Sequence, residues 1–268
     1  ALSASEVQGI MYKQYSDLST ADQVSLVSWY DLGETSLGSE LVTNGDMELD
    51  SNWTAHGSAT VSQSADVAYT GTYSQKIVAV TSSGYGVRSD DWSVTSGQIY
   101  KYTLYMYSTT LSSVRVYVRR GDDSSADYDN TFTGLTTSQW NKIEFTNTAN
   151  ASGSSQDIRL LVATGESGTI YFDDVSVKEI QVEDLQGSND GSIIGATTNS
   201  TIYGDNAPSK PRIFDSAPDV VDNYGTLKSG TALSFDGVND YVDTGDTFQS
   251  TFDGSFSISA WITKPTST

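Results

Sequence analysis

The sequence contains no cysteine, so disulfide staples and thiol chemistry are excluded. Proline is rare, with 4 in 268 residues, and there are few of the Leu-Ala-Lys-Glu runs that build helices. Basic residues are also scarce: 14 Lys and Arg stand against 34 Asp and Glu, a formal charge of −20. That balance excludes nucleic acid as a partner, because nucleic acid demands a basic surface. It also repels an anionic membrane. No apolar run approaches the ~18–20 residues of a membrane helix, so membrane insertion is not expected. Histidine occurs once, at His56, with no evident triad partner, and it reads as polar loop surface. The G-x-S-x-G, H-E-x-x-H, Walker and G-x-G-x-x-G patterns are all missing. Carboxylate pairs must exist among 34 acids, but none stands out as a glycosidase acid and base. The sequence therefore reads as non-catalytic.

What it does have is Gly (23), Tyr (16) and abundant Ser and Thr, the residues of strands and tight turns. Hydrophobic residues make up 37%, enough for a packed core. Residues 1–15 predict a short helix. Ser3 and Glu6 form a capping box, and Val7, Ile10 and Met11 share one face. A second, weaker helical start follows at Ser19-Thr20-Ala21-Asp22, and Leu26 to Tyr30 predict a strand. From 39 to 180, short alternating runs predict strands at 58–63, 74–80, 98–107, 113–119, 140–146, 157–163 and 169–178. Residues 181–225 read as a long surface excursion with at most two short strands. Strand patterning resumes at 231–245 and 254–263, where Phe256, Ile258, Ala260 and Ile262 share a face.

Strand alternation singles out one set of side chains. In the run from Val114 to Arg119 the valines alternate with Arg115, Tyr117 and Arg119, so period two buries the valines and turns the other three outwards. Leu104 and Met106 likewise read as buried, with Tyr105 and Tyr107 opposite them. Tyr85 and Arg88 lie in a glycine-flanked strand. If these strands adjoin, one face carries Tyr and Arg side by side. Aromatic rings bind the apolar faces of sugars and guanidinium groups supply fixed donors. The alternative is an ordinary exposed face, since these residue types suit any strand. Trp53 and Trp140 read as core or rim.

Residues 39–180 resemble the carbohydrate-binding modules of the family four/nine type, a galactose-binding-like jelly roll. The resemblance is carried by Leu41-Val42-Thr43-Asn44-Gly45-Asp46-Met47-Glu48 with Trp53, by Gly71-Thr72-Tyr73-Ser74 and Gly97-Gln98-Ile99-Tyr100, and by Ile170-Tyr171-Phe172-Asp173-Asp174-Val175-Ser176-Val177. It implies a structural Ca²⁺ site in which Glu48 and Asp173 or Asp174 share a cation; the alternative is a pair of solvated acids at strand ends. The flanks resemble a laminin-G-like, concanavalin A-like sandwich, through the run Ala232 to Val242 and the run Phe256 to Ile262. Leu26 to Glu34 looks like the opening strand of such a domain, and Asp184 to Gly191 like its following loop. Residues 1–15 look like the closing helix of a preceding domain of that kind.

Together these imply an all-β chain of antiparallel jelly-roll β-sandwiches, one complete (39–180) and one partial (16–38 and 181–268), with a short N-terminal helix. Either the sequence is a window of a longer repeat protein, or a neighbouring chain supplies the missing strands of the partial sandwich. The function implied is a non-catalytic carbohydrate-binding or adhesion segment of a virion or cell-surface structural protein, of the phage fibre or capsid-decoration type. Its expected partners are a glycan or cell-surface polysaccharide and neighbouring copies of the same or another structural protein, in an extracellular or virion-surface location. The alternatives are a spacer sandwich without ligand and an accessory region of a secreted polysaccharide-degrading enzyme.

Overall fold

A computed structural model describes residues 15–79, 85–199, 232–235, 238–245, 253, 256, 258 and 260. The helix expected over 1–15 lies outside these except for Tyr15, which opens a single 3-10 turn, Tyr15–Asp17. The second helical start is realised as α1 (Thr20–Ser25). Ser19 caps it by accepting the Asp22 amide at 3.2 Å.

The strands in chain order are β1 (Tyr30–Glu40), β2 (Trp53–His56), β3 (Thr60–Ser64), β4 (Ser74–Ala79), β5 (Gly86–Ser89) and β6 (Trp92–Val94). There follow β7 (Ile99–Tyr107), β8 (Ser113–Arg119), β9 (Ala126–Thr133), β10 (Asn141–Thr148), β11 (Gly153–Gln156) and β12 (Ile158–Leu161). The last are β13 (Gly168–Asp184), β14 (Gly191–Ile194), β15 (Thr197–Asn199), β16 (Ala232–Ser234) and β17 (Tyr241–Asp243). Every pairing between them is antiparallel. The fold is an all-β sandwich.

One sheet runs β2-β5-β12-β8-β9. A second runs β10-β7-β13-β14-β17, with β1 and β4 also paired to β13 and β3 paired to β4, and β6-β11 and β15-β16 form two further two-stranded sheets. The period-two alternation of β7 and β8 dictates how the two sheets meet. Tyr102, Leu104 and Met106 from β7 and Val114, Val116 and Val118 from β8 all point inwards and are fully buried. They pack with Ile77, Val87, Ile158, Leu160, Ile170 and Phe172 in one core.

The two sheets are joined where sequence adjacency suggests a hairpin. The five residues between β7 and β8 cross from one sheet to the other. Ser108 fixes the crossing: its hydroxyl donates to the Thr169 carbonyl at 2.7 Å and accepts the Leu111 amide at 3.1 Å.

The phrase Leu41 to Glu48 acts as a plug at one end of this core. The Asn44 amide group donates to the carbonyls of Leu49 and Ser51, and its carbonyl oxygen accepts the Leu49 amide. Its backbone carbonyl takes the Trp53 indole N–H at 2.9 Å. Gly45 lies flat against β13; a Cβ there would come within 1.9 Å of the Val175 carbonyl oxygen. Opposite it β13 carries a bulge, with Asp174 at φ 45 between the pairs Asp173–Tyr105 and Ser176–Thr103.

Three expectations are corrected. The strand foreseen at 26–30 begins only at Tyr30, because Tyr30 is the first residue with a cross-strand partner, Asp184. The surface excursion foreseen from 181 starts only after Asp184, because the 17 residues of β13 continue to that point; the two short strands allowed for in it are β14 and β15. Phe256, Ile258 and Ala260, the described residues of the run 254–263, belong to no strand and are exposed. Ile262 lies outside the described residues.

The boundaries foreseen at 38 and 180 fall within β1 and β13, which pair with each other. Beyond them Val182, Ile193, Ala196 and Leu233 form a second, smaller hydrophobic cluster, packed on by Tyr30, Ile180 and Val242.

Leu104→Ala empties a fully buried position between the sheets and should cost roughly 2–5 kcal/mol in denaturant unfolding. Gly45→Ala should destabilise as well, because its Cβ meets backbone that cannot swing away. Equal midpoints for the Gly45 variant and the parent would contradict the close approach.

Candidate functional site

The outer face of the β2-β5-β12-β8-β9 sheet collects most of the outward-facing side chains singled out above. Cross-strand register places Thr54, Arg88, Arg159, Tyr117 and Asp129 in one line across five strands. The next line holds His56, Gly86, Leu161, Arg115 and Thr131. The guanidinium groups of Arg159 and Arg115 lie 5.0 and 6.0 Å from the Tyr117 ring centroid, so this aromatic is flanked by cations.

Arg88 and Arg159 are direct cross-strand neighbours, an arrangement that repels. Asp157 makes it tolerable. This carboxylate sits on the same outer face yet is fully buried beneath the arginines. Arg159 reaches it at 2.9 Å, Arg119 at 3.1 Å and Arg88 at 3.4 Å. Arg119 is further held by Asp91 at 2.5 Å and Asp123 at 2.7 Å, and Arg115 by a two-point contact with Asp129 at 2.7 and 2.6 Å. The sole histidine belongs here too, in β2 rather than in a loop. Burial, then the charge of Arg159 with those of Arg88 and Arg115 behind it, holds His56 below its ordinary 6.5.

Of the residues foreseen as one platform, Arg88, Arg115, Tyr117 and Arg119 do come together. Tyr85 does not join them: it is partly buried and packs against the core, with its ring against Gly57, where a Cβ would fall 1.9 Å from Cδ1. Tyr105 and Tyr107 do not join them. They lie on β7, in the other sheet, and face out on the opposite side of the sandwich. There Tyr105 stacks on Tyr69 at 3.7 Å, and Trp140 sits between Tyr69 and Tyr107 at 5.9 and 5.5 Å. Trp53 is core and Trp140 is part of this outer cluster. Sequence reading missed His56, Arg159 and Asp157. The alternation Ile158-Arg159-Leu160 was the available signal for Arg159.

The acids foreseen as calcium ligands converge on one loop but as acceptors of amide hydrogens. Glu48 Oε1 accepts the amides of Thr72 and Tyr73 at 2.8 and 2.9 Å. Asp173 accepts those of Tyr69 and Thr70 on one oxygen and that of Asp174 on the other. Asp174 accepts the Thr70 hydroxyl at 2.9 Å. Among the described residues no three His, Cys, Asp or Glu side chains are placed to hold a metal ion. The groups facing these carboxylates are five backbone amides and the Thr70 hydroxyl.

Two outcomes follow from these charges. Asp157→Asn should destabilise by roughly 1–3 kcal/mol. That is less than the ~3–5 of a fully buried pair, because Arg88 and Arg159 reach water. Burial also pushes the Asp173 carboxyl up to about 6 against its three amide donors. An unfolded Asp titrates near 3.8, so this group favours the folded state most at low pH, and that contribution is lost as pH rises through about 6. Carboxyl NMR should find its midpoint there, and calcium should leave both the midpoint and the melting temperature unchanged. An upward melting shift reversed by chelator would restore the cation.

Comparison with known proteins gives these residues a context. No curated protein matches the sequence. Among solved structures, an arabinose-bound α-L-arabinofuranosidase is 18% identical with a TM-score of 0.46; the match covers 53% of this chain and 27% of that one. The C-terminal family 22 carbohydrate binding module of Clostridium thermocellum Xyn10B is 17% identical with a TM-score of 0.40, over 50% of this chain and 90% of that one. A family 4 carbohydrate-binding module is 19% identical with a TM-score of 0.41, over 52% and 99%. Residues 39–169 match the family model described as a carbohydrate binding domain. The larger sandwich is therefore similar in sequence to carbohydrate-binding domains, the part of this chain for which such a likeness is found.

Proposed function

We propose that this chain binds a glycan on the outer face of the β2-β5-β12-β8-β9 sheet and catalyses nothing. It serves as a carbohydrate-binding and adhesion segment of a virion or cell-surface structural protein, outside the cell. One observation carries the reading: the stretch that matches a carbohydrate binding domain supplies all five strands of that sheet.

The physics of the face supports it. Sugars are held by an apolar surface for the ring and by oriented hydrogen-bond groups for its hydroxyls. Tyr117 supplies the first, Arg88 and Arg159 the second, and the strand backbone keeps all three in register. Asp157 holds Arg159 at 2.9 Å, so little of that side chain's entropy remains to be lost on binding.

A glycan array, followed by affinity electrophoresis on the glycans that score, tests the assignment. Tyr117→Ala should weaken binding about tenfold or more, the loss of one well-placed ring contact. Tyr105→Ala, on the opposite face, should leave it unchanged. Binding that survives Tyr117→Ala but fails with Tyr105→Ala would move the site to the other sheet. Binding to no glycan would favour a spacer. The flanking coding sequence separates surface display from an accessory role: an adjoining catalytic domain would make this a region of a polysaccharide-degrading enzyme.

A further inference from the structure

The arginine face is an electrostatic exception in this molecule. The chain carries −20 overall with 14 basic residues, yet Arg88, Arg115, Arg119 and Arg159 crowd one sheet face. Two of them are closely paired with carboxylates. Arg115 is clamped by Asp129, and Arg119 is shared among Asp91, Asp123 and Asp157 with its side chain 11% exposed. Arg88 and Arg159 differ. They stand opposite each other across the strand pair, and Asp157 is the carboxylate common to both. Arg88 is the less tightly held. Its nearest carboxylate oxygens are 3.4 and 3.6 Å away, beyond the 2.7–2.9 Å of a strong charge-assisted bond, and its side chain is 40% exposed.

The hydrogen-bonding character of this centre is one-sided. A sugar hydroxyl both donates and accepts, so a face built for neutral sugars presents both kinds of group. Guanidinium groups only donate. Of the two carboxylates nearest them, Asp157 is fully buried under the arginines and out of a ligand's reach, and Asp91 is engaged by Arg119 at 2.5 Å. Asp129, at the end of the line, is engaged by Arg115. The middle of the face therefore offers donors and positive charge beside the Tyr117 ring. The depressed proton affinity of His56 reports the same field: after burial, the arginines outweigh the pull of Asp157. At physiological salt a charge acts over about 8 Å, so a ligand on this face feels the arginines more than the acids elsewhere.

We infer that the preferred ligand of this face is an acidic polysaccharide, with Arg88 and Arg159 taking the carboxylate of a uronic acid residue beside Tyr117. The inference rests on the reading that this face binds glycans, and it names their class. A planar carboxylate matches the guanidinium fork in two-point contact and gives Arg88 the close partner it lacks. It also relieves the repulsion between two facing cations that share the Asp157 carboxylate.

The test compares matched pairs of polysaccharides: polygalacturonate, alginate and glucuronoxylan, each beside its carboxyl-reduced form. Binding to the full chain is measured by affinity electrophoresis and calorimetry. At least one acidic form should bind about tenfold or more tighter than its reduced partner. That preference should shrink as sodium chloride is raised. Arg88→Gln should abolish the preference while leaving the melting temperature close to the parent's, since Arg88 is partly exposed and loosely paired. Arg88→Lys, which keeps the charge and loses the fork, should restore part of it. Equal binding of acidic and reduced forms, or binding to neutral glycans alone, overturns the acidic preference while the glycan-binding reading stands. Binding to none of them overturns both.

Discussion

The larger sheet is organised around the backbone of β13. Over 17 residues it pairs with β4 and β7 at one end and with β1 and β14 at the other. Every other strand of that sheet reaches its place through one of these four. The inward side chains Ile170, Phe172, Val175 and Val177 fill the larger core, and five residues further on Val182 fills the smaller one. A strand so long cannot keep strict period two against partners on both sides while serving two cores. The bulge at Asp174 resets the phase, and Gly45 fits against it by having no side chain. The opening phrase of the sandwich and its closing strand are thus one structural unit, although eleven other strands lie between them in sequence.

The acidic excess of the chain is handled locally. On the β2-β5-β12-β8-β9 face each arginine has an aspartate, and one of those aspartates is buried with three arginines as its lid. At the end of the sandwich, Glu48, Asp173 and Asp174 form no ion pair with Lys or Arg among the described residues. They gather the amides and hydroxyl of the loop from Tyr69 to Tyr73 instead. The same chemical group therefore does two jobs. Paired with guanidinium it positions a donor surface; paired with backbone N–H it fixes a loop.

Much of this was legible in sequence, and the limits have physical causes. Alternation located the buried Val114, Val116 and Val118 and the outward Arg115, Tyr117 and Arg119, because a strand with one buried face has no other way to arrange them. It could not assign strands to sheets. β7 and β8 are separated by five residues, a spacing that suits a hairpin, yet Ser108 and its bonds turn the chain across the sandwich. Tyr105 and Tyr107 thereby landed on the wrong side of the molecule for the platform foreseen. β9 escaped notice because it is an edge strand, with polar Asp, Asn and Thr where a buried strand would show apolar residues. Asp157 escaped because nothing in a sequence distinguishes a carboxylate that three distant arginines will cover.

The pairing of β1 with β13 has a mechanical side. Glu40 lies opposite Lys178, so the chain enters and leaves the larger sandwich through two adjacent strands whose backbones are bonded to each other. A single linker lets a domain swivel freely. A two-stranded stem resists twisting and bending, and a pull on the sandwich is divided between both strands. A surface that grips a polymer under flow or drag would in this way pass both tension and torque to whatever lies at the base of the stem, keeping the binding face at a set angle to it.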